Sequence, residues 1–315
     1  MTRKKSFQNK IAGSRYSLPC SATLIALMWV AVGMAVGNIW VQFALTALST
    51  LLMVELNNRN SLMRTYSRMV SCCFLVLATA ISLPAPSLTG NMVTLCTIAF
   101  YLILWTTYQD HQATGRTFYA FVFAGIASMV CIQTAYYLPL MWILMLFFVN
   151  SFSIRTLLAS LLGMVLPYWF AAGYFVYTED WQTPLAHFQD FIDYSGLLNY
   201  TQTTTHQLVN TAFIAVLALL GAVHFLRNSY ADKIRTRLIY ESFVVMDIVT
   251  LAFIVLMPCC YDNLIGIMVV NTAPLVAHFV TYTHTKITNI VFIAMLVTAV
   301  VLLLFNLLYP ETILL

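Results

Sequence analysis

The chain has 315 residues, of which 61% are hydrophobic and only 8% charged, and its mean hydropathy is +0.84. Soluble domains carry about 25% charged residues, so this composition excludes a soluble fold and points to an integral membrane protein with the lipid bilayer as its principal partner. The net charge of +4 is small and its basic residues fall in short connections, which excludes a nucleic-acid surface.

The N-terminal segment, residues 1–18, is basic (Arg3, Lys4, Lys5, Lys10, Arg15) and leads into an apolar run from about Leu18 to Glu55. That run exceeds signal-peptide length, and Leu18-Pro19-Cys20 precedes the apolar core instead of following it, so neither a cleaved leader nor lipoprotein processing is expected. Roughly 35 apolar residues are too many for one span of about 20 and just enough for two short ones. Gly33, Gly37 and Asn38 at its middle predict a tight hairpin between spans near 19–36 and 39–55, with one long tilted helix as the competing reading. The polar stretch Glu55 to Arg68 is expected to be a loop.

Spans follow at about 68–84, 91–108, 116–133, 137–152 and 155–177. Pro84, Pro86 and Gly90 predict a turn after the first of these, and Tyr136, Tyr137 and Pro139 suit an interfacial turn. Pro167 is expected to kink the 155–177 span. The long polar segment, 178–207, repeats Leu185, Phe188, Phe191 and Ile192 at helical spacing, which predicts a short amphipathic helix on the membrane surface. Further spans at about 208–226, 238–258, 263–283 and 287–309 bring the total to eleven, within a range of ten to twelve. The predicted fold is all-α, a polytopic transmembrane helix bundle forming a single integral membrane domain over residues 1–315.

Lysine and arginine collect on the cytoplasmic side of membrane proteins. With the N-terminus inside, the cytoplasmic stretches hold the N-terminal group, then Arg59, Arg64 and Arg68, then Arg116, Arg155, the 227–237 loop and Lys286, which accounts for all 15 Lys and Arg. The outer connections carry Glu179, Asp180, Asp190, Asp193, Asp262 and Glu311. A single span over 19–55 would strand the N-terminal group opposite the other ten basic residues, so the expected topology is N-terminus in and C-terminus out.

Asp247 lies about nine residues into its span, roughly 13 Å deep at 1.5 Å per residue. An ionised carboxylate there costs at least about 2.5–3.5 kcal/mol, so it must be protonated, paired or facing internal water, and it is the leading functional candidate. Asn271 and His278 of the next span, seven residues apart on one face, are the expected partners, with Pro274 between them as a further kink. An interhelical hydrogen bond that only holds the bundle together is the alternative role for these groups. Glu241 lies about 120° around the helix from Asp247, so the two carboxylates are no catalytic pair, and Glu241 is expected to pair with Arg237 or Lys233. On the outer side His187, Asp190, Asp193 and Asp262 are candidates for lining a site, although His187, Asp190 and Asp193 also suit a solvated helix face.

Seven cysteines (Cys20, Cys72, Cys73, Cys96, Cys131, Cys259, Cys260) are scattered mostly in apolar runs without metal-ligand spacing to histidine, and most read as small packing residues, Cys259 and Cys260 at a span end being the exception. No Walker A loop, HExxH, GxSxG or CxxC occurs, so no metal or cofactor is expected. The N-terminal hairpin, the Glu55-Leu56-Asn57-Asn58-Arg59-Asn60-Ser61-Leu62 connection and the run of short spans with late polar helices resemble an uncharacterised family of multipass inner-membrane proteins of Bacteroidota. The resemblance implies a location, the bacterial cytoplasmic membrane, and no particular chemistry. The expected function is a transport-like or envelope-assembly component centred on Asp247, with room for a membrane-protein partner. The alternative is an outer-face lipid-dependent glycosyltransferase, which the tiny uncharged first outer turn near Gly37 disfavours.

Overall fold

The computed structural model describes residues 7–309 apart from 38, 84, 85, 194, 195 and 202 and the side chains of 35 and 36. Arg3, Lys4, Lys5, Asn38, Pro84 and Glu311 therefore lie outside the described residues. What is described is all helical: α1 (Phe7–Ala12), α2 (Ser17–Val36), α3 (Trp40–Asn60), α4 (Met69–Ser82), α5 (Leu88–Leu104), α6 (Thr114–Val130), α7 (Leu138–Phe147), α8 (Ile154–Thr178), α9 (Gln182–Ile192), α10 (Thr205–Asn228), α11 (Ile234–Leu256), α12 (Tyr261–Tyr282) and α13 (Lys286–Leu308).

A helix stands at each of the eleven expected span positions. Among the described residues eight are long and apolar enough to cross a bilayer: α2, α3, α5, α8, α10, α11, α12 and α13. The others are shorter. α4 has 14 residues and α7 only 10, which at 1.5 Å per residue gives about 21 Å and about 15 Å against a hydrocarbon core of about 30 Å. A 3-10 segment, Ile132–Tyr137, leads directly into α7 and extends it. The fold class is that of a membrane helix bundle.

Several boundaries differ from the sequence pattern for identifiable reasons. α3 runs on to Asn60, so half of the expected 55–68 loop is helical; Glu55 and Arg59 meet at 2.7 Å across one turn, and Ser61 ends the helix in the left-handed region (φ 48°). Gly90 is not in the preceding turn but in the first turn of α5, where Ser87 caps the helix by accepting from the Gly90 amide at 3.1 Å. The hairpin between α2 and α3 turns at Gly37, whose φ of 103° suits glycine. α8 and α12 run through Pro167 and Pro274 without a break. The surface helix is present as α9, anchored where the Phe191 ring stacks on Tyr136 at 4.7 Å and the Tyr136 hydroxyl donates to the Phe191 carbonyl. Leu185, Phe188 and Ile192 are exposed on it, as an interfacial helix requires.

Contacts between connections define two ends of the bundle. At one end Arg64 meets Asp232, Arg235 donates to Asn60 and to the Trp105 carbonyl, Gln109 bonds Val149, and Gln8 reaches Val280 and Thr283. At the other, Gln42 reaches Pro86, Leu198 bonds Leu256, and a Cβ on Gly90 would collide with the Asp262 carbonyl. Successive connections alternate between these ends. Most of the basic connections therefore share one of them.

α12 is the axis. It packs against α4, α5, α10 and α11, and 94% of its apolar 18-residue stretch is buried, against 22% for the corresponding stretches of α8 and α13. The peripheral helices turn Trp169, Phe170, Tyr174 and Tyr177 of α8 and Ile290, Val297 and Val301 of α13 outward, as lipid-facing surfaces do. The buried polar side chains Asn271, Thr272 and His278 of α12 accordingly face partners inside the protein.

Candidate functional site

The polar side chains around α12 form two separate centres. The first lies at the basic end. After α10 a 3-10 turn, Ser229–Ala231, brings Asp232 back under the bundle, where its side chain is completely buried. One carboxylate oxygen, Oδ1, faces Arg64 Nε at 2.8 Å and the other, Oδ2, faces His278 Nε2 at 3.1 Å. His278 Nδ1 in turn lies 3.4 Å from His224 Nδ1 of α10. A carboxylate only accepts, so His278 Nε2 carries the hydrogen; in a neutral His278 ring Nδ1 then accepts from His224. The result is an ordered chain from carboxylate to imidazole to imidazole.

The surroundings fix that chain in place. His278 is fully buried among Tyr282 (ring centroids 4.7 Å apart), Tyr240 (5.2 Å) and Phe225 (5.4 Å). The Arg64 guanidinium lies over the Tyr282 ring, 4.2 Å from its centroid, its backbone N–H donates to the Tyr282 hydroxyl, and its Nη1 donates to the Ala231 carbonyl at 3.3 Å. Three stretches far apart in sequence are thus held by one carboxylate.

The second centre is at mid-bundle. Asp247 of α11 is buried, and the Thr272 hydroxyl of α12 lies 3.2 and 3.1 Å from its two oxygens. Around it the Tyr101 hydroxyl donates to Asn271 Oδ1 at 2.9 Å and the Tyr137 hydroxyl lies 3.1 Å from the Thr250 hydroxyl. Among the described residues no basic group is in ion-pair distance of Asp247. Its partner does come from the next span, but it is Thr272 and not Asn271 or His278. Asn271 is directed to Tyr101, and His278, six residues or about 9 Å further along the helix from Thr272, belongs to the Asp232 centre. Glu241 meets Arg237 Nε at 3.6 Å with both side chains partly exposed, a contact worth little.

On the opposite end the outer candidates separate as well. Asp190 and Asp193 line one polar cavity of about 420 Å³ together with Gln133, Asn199, Gln207 and Cys259. His187 stands apart against Tyr168 and Phe188. Asp262 lines a different and smaller cavity, about 50 Å³, beside Ser87, Asn91 and Thr94. All seven cysteines are free thiols, and among the described residues no group of three or more His, Cys, Asp or Glu is arranged to hold a metal.

Asp232, Arg64, His224 and Tyr282 were not singled out by the sequence pattern. A usable signal existed for Asp232, the single acid within the basic run Arg227 to Arg237. Nothing in spacing linked it to Arg64, 168 residues earlier, or to His278 on another helix.

No known protein-family profile, curated protein or solved structure matches the chain. The class rests on fold and composition: a multipass helical membrane protein with an enclosed central helix and titratable side chains at two depths along it.

Losing one partner of a buried ion pair leaves an uncompensated group and costs about 3–5 kcal/mol, whereas a partly exposed pair on one helix contributes at most about 0.5 kcal/mol. Because the Arg64 side chain is 35% exposed and is partly solvated once its partner is gone, Asp232→Ala should destabilise the protein by about 2 kcal/mol, and Glu241→Ala by less than about 0.5 kcal/mol, in denaturant unfolding of the detergent-solubilised chain. Equal losses would contradict the pairing.

Proposed function

We propose that the protein is a transport-like component of the bacterial cytoplasmic membrane that couples its work to proton movement through the α10–α11–α12 core. The observation that carries this reading is the placement of titratable groups at two depths against one mostly enclosed helix: buried Asp232 and His278 with the half-buried His224 near the basic end, and buried Asp247 at mid-bundle. Ionisable groups inside a bundle are costly and mark ion or proton pathways. The resemblance to inner-membrane proteins of Bacteroidota supports the location in this reading and not its chemistry.

On this reading all eleven helices cross, with the N-terminus in and the C-terminus out. The alternation of connections between two ends supports it, as does the sharing of one end by most of the basic connections. The short helix α4 then crosses within the shelter of the bundle, while α7, with Ile143, Leu146 and Phe147 exposed, crosses at its edge. Cys259 lies exposed at the other end, so a membrane-impermeant maleimide should label it in intact cells of a Cys20→Ser background. Labelling only after membrane permeabilisation would reverse the orientation.

In vesicles loaded with a pH-sensitive dye, the wild-type chain should relax an imposed pH gradient faster than protein-free vesicles. Asp247→Asn keeps the shape and the Thr272 contact but removes the titratable group, and should lower that rate at least about tenfold while leaving insertion intact. Unchanged relaxation in Asp247→Asn would remove this carboxyl from the mechanism.

A second reading, an outer-face enzyme acting on lipid-linked glycans, is favoured by the polar cavity beneath α9. Its two carboxylates, Asp190 and Asp193, are the acids such chemistry would use, whereas Asp262 opens elsewhere. Replacing Asp190 and Asp193 with alanine should then deplete a glycan product in cells and Asp262→Ala should not. Unaltered glycans in the double variant would exclude the enzyme.

A further inference from the structure

A second, apolar cavity of about 190 Å³ lies near the basic end, between α2, α4, α12 and α13. Its walls are side chains such as Cys72, Cys73, Leu77, Val280, Phe292 and Ala299. Along α4 it extends from Met69 to Leu77 and along α13 from Phe292 to Ala299, so it follows the helices for about 10–12 Å at 1.5 Å per residue. Protein interiors are close-packed, and a void of this size lined by aliphatic groups would forfeit contacts all along its surface. α2 and α13 each expose an apolar face to the outside, so the cavity sits in a wall that meets lipid.

The mouth is marked by charge. Ile11 and Ser17 line the cavity next to Lys10 and Arg15, and Met69 lines it next to Arg68. Arg68 stands one helical turn before Cys72 and so on the face of α4 that borders the cavity. α1 closes this end because Gln8 donates to the Val280 carbonyl at 2.7 Å and to the Thr283 hydroxyl at 2.7 Å, and Phe7 packs 6.4 Å from Phe292. Arg59, Arg64 and Arg237 have carboxylate partners, whereas Lys10, Arg15 and Arg68 have none among the described residues. An apolar slot about 10–12 Å long thus ends near three basic residues that have no carboxylate partner among the described residues, Arg68 having only the Tyr66 hydroxyl at 2.9 Å.

We propose that this cavity is a binding site for one acyl chain of an anionic phospholipid, with the lipid phosphate held by Arg68, Lys10 and Arg15. The chain replaces the void with close contacts, and the phosphate supplies the negative charge that the three side chains lack. The occupant is a bilayer lipid, since the slot opens at the depth where acyl chains lie and its cations stand where headgroups do.

The test is native mass spectrometry of the full-length protein in mixed micelles of phosphatidylglycerol and phosphatidylcholine at equal mole fraction. Wild type should retain one phosphatidylglycerol at least about tenfold in preference to phosphatidylcholine. Ala299→Trp, which fills the slot, should abolish that retention. Arg68→Gln, a change at the surface that leaves the core alone, should lower the preference about fivefold, as expected for one basic residue near an anionic headgroup. Equal retention of the two lipids would show a chain site without headgroup selection and overturn the proposal, and so would undiminished retention in a folded Ala299→Trp protein. If that variant fails to fold, an unchanged preference in Arg68→Gln overturns it alone.

Discussion

The buried carboxylate of Asp232 ties together parts of the chain that have no other reason to meet. Arg64 comes from the connection after α3, His278 from the last turns of α12 and His224 from α10, and all converge because a fully desolvated negative charge demands partners on each of its oxygens. The same contacts bring Tyr282 beneath the Arg64 guanidinium and close the basic end of the bundle over α12. How the α10–α11 turn folds inward depends on this one group, while α1 is held at the same end by Gln8.

The enclosure of α12 follows from the same constraint extended along the helix. With hydrocarbon outside and no water to satisfy a stray donor or acceptor, polar side chains must point inward and meet partners there. Thr272 meets Asp247, Asn271 meets Tyr101 and His278 meets Asp232, so two neighbouring helices and the α10–α11 connection are keyed to α12 at defined heights. The two centres differ in character. The one at the basic end is an ionic chain that ends in a partly exposed arginine, while the one at mid-bundle is a carboxyl whose described partner is a hydroxyl. A pathway between them would run down one enclosed helix, which is why the transport-like reading is preferred to one based on the outer surface.

The outer end has a different physical logic. α9 turns Leu185, Phe188 and Ile192 outward, and the polar cavity beside it carries the carboxylates of Asp190 and Asp193, with no lysine or arginine among the described residues of its walls. The apolar slot near the basic end is the reverse, mostly aliphatic within, with Lys10 and Arg68 next in sequence to residues of its lining. The molecule therefore presents chemically opposite recesses at its two ends, in keeping with the charge asymmetry of its connections.

Much of the architecture was legible in the residues themselves. Hydrophobic runs, the Gly37 turn, the amphipathic repeat in 178–207 and the distribution of Lys and Arg are local or additive properties, so composition and periodicity determine the helical class, the positions of the helices and the charge difference between the two sets of connections. Burial of Asp247 was legible for the same reason, since depth along a helix is counted in residues. The partners were not. Whether Asp247 meets Thr272 or Asn271 depends on a rotation of about 100° about α12, and the chain of Asp232, His278, His224 and Arg64 depends on how four separated segments pack. Those relations are set by side-chain fit and by the need to satisfy buried charge in three dimensions, and only the tertiary structure decided them.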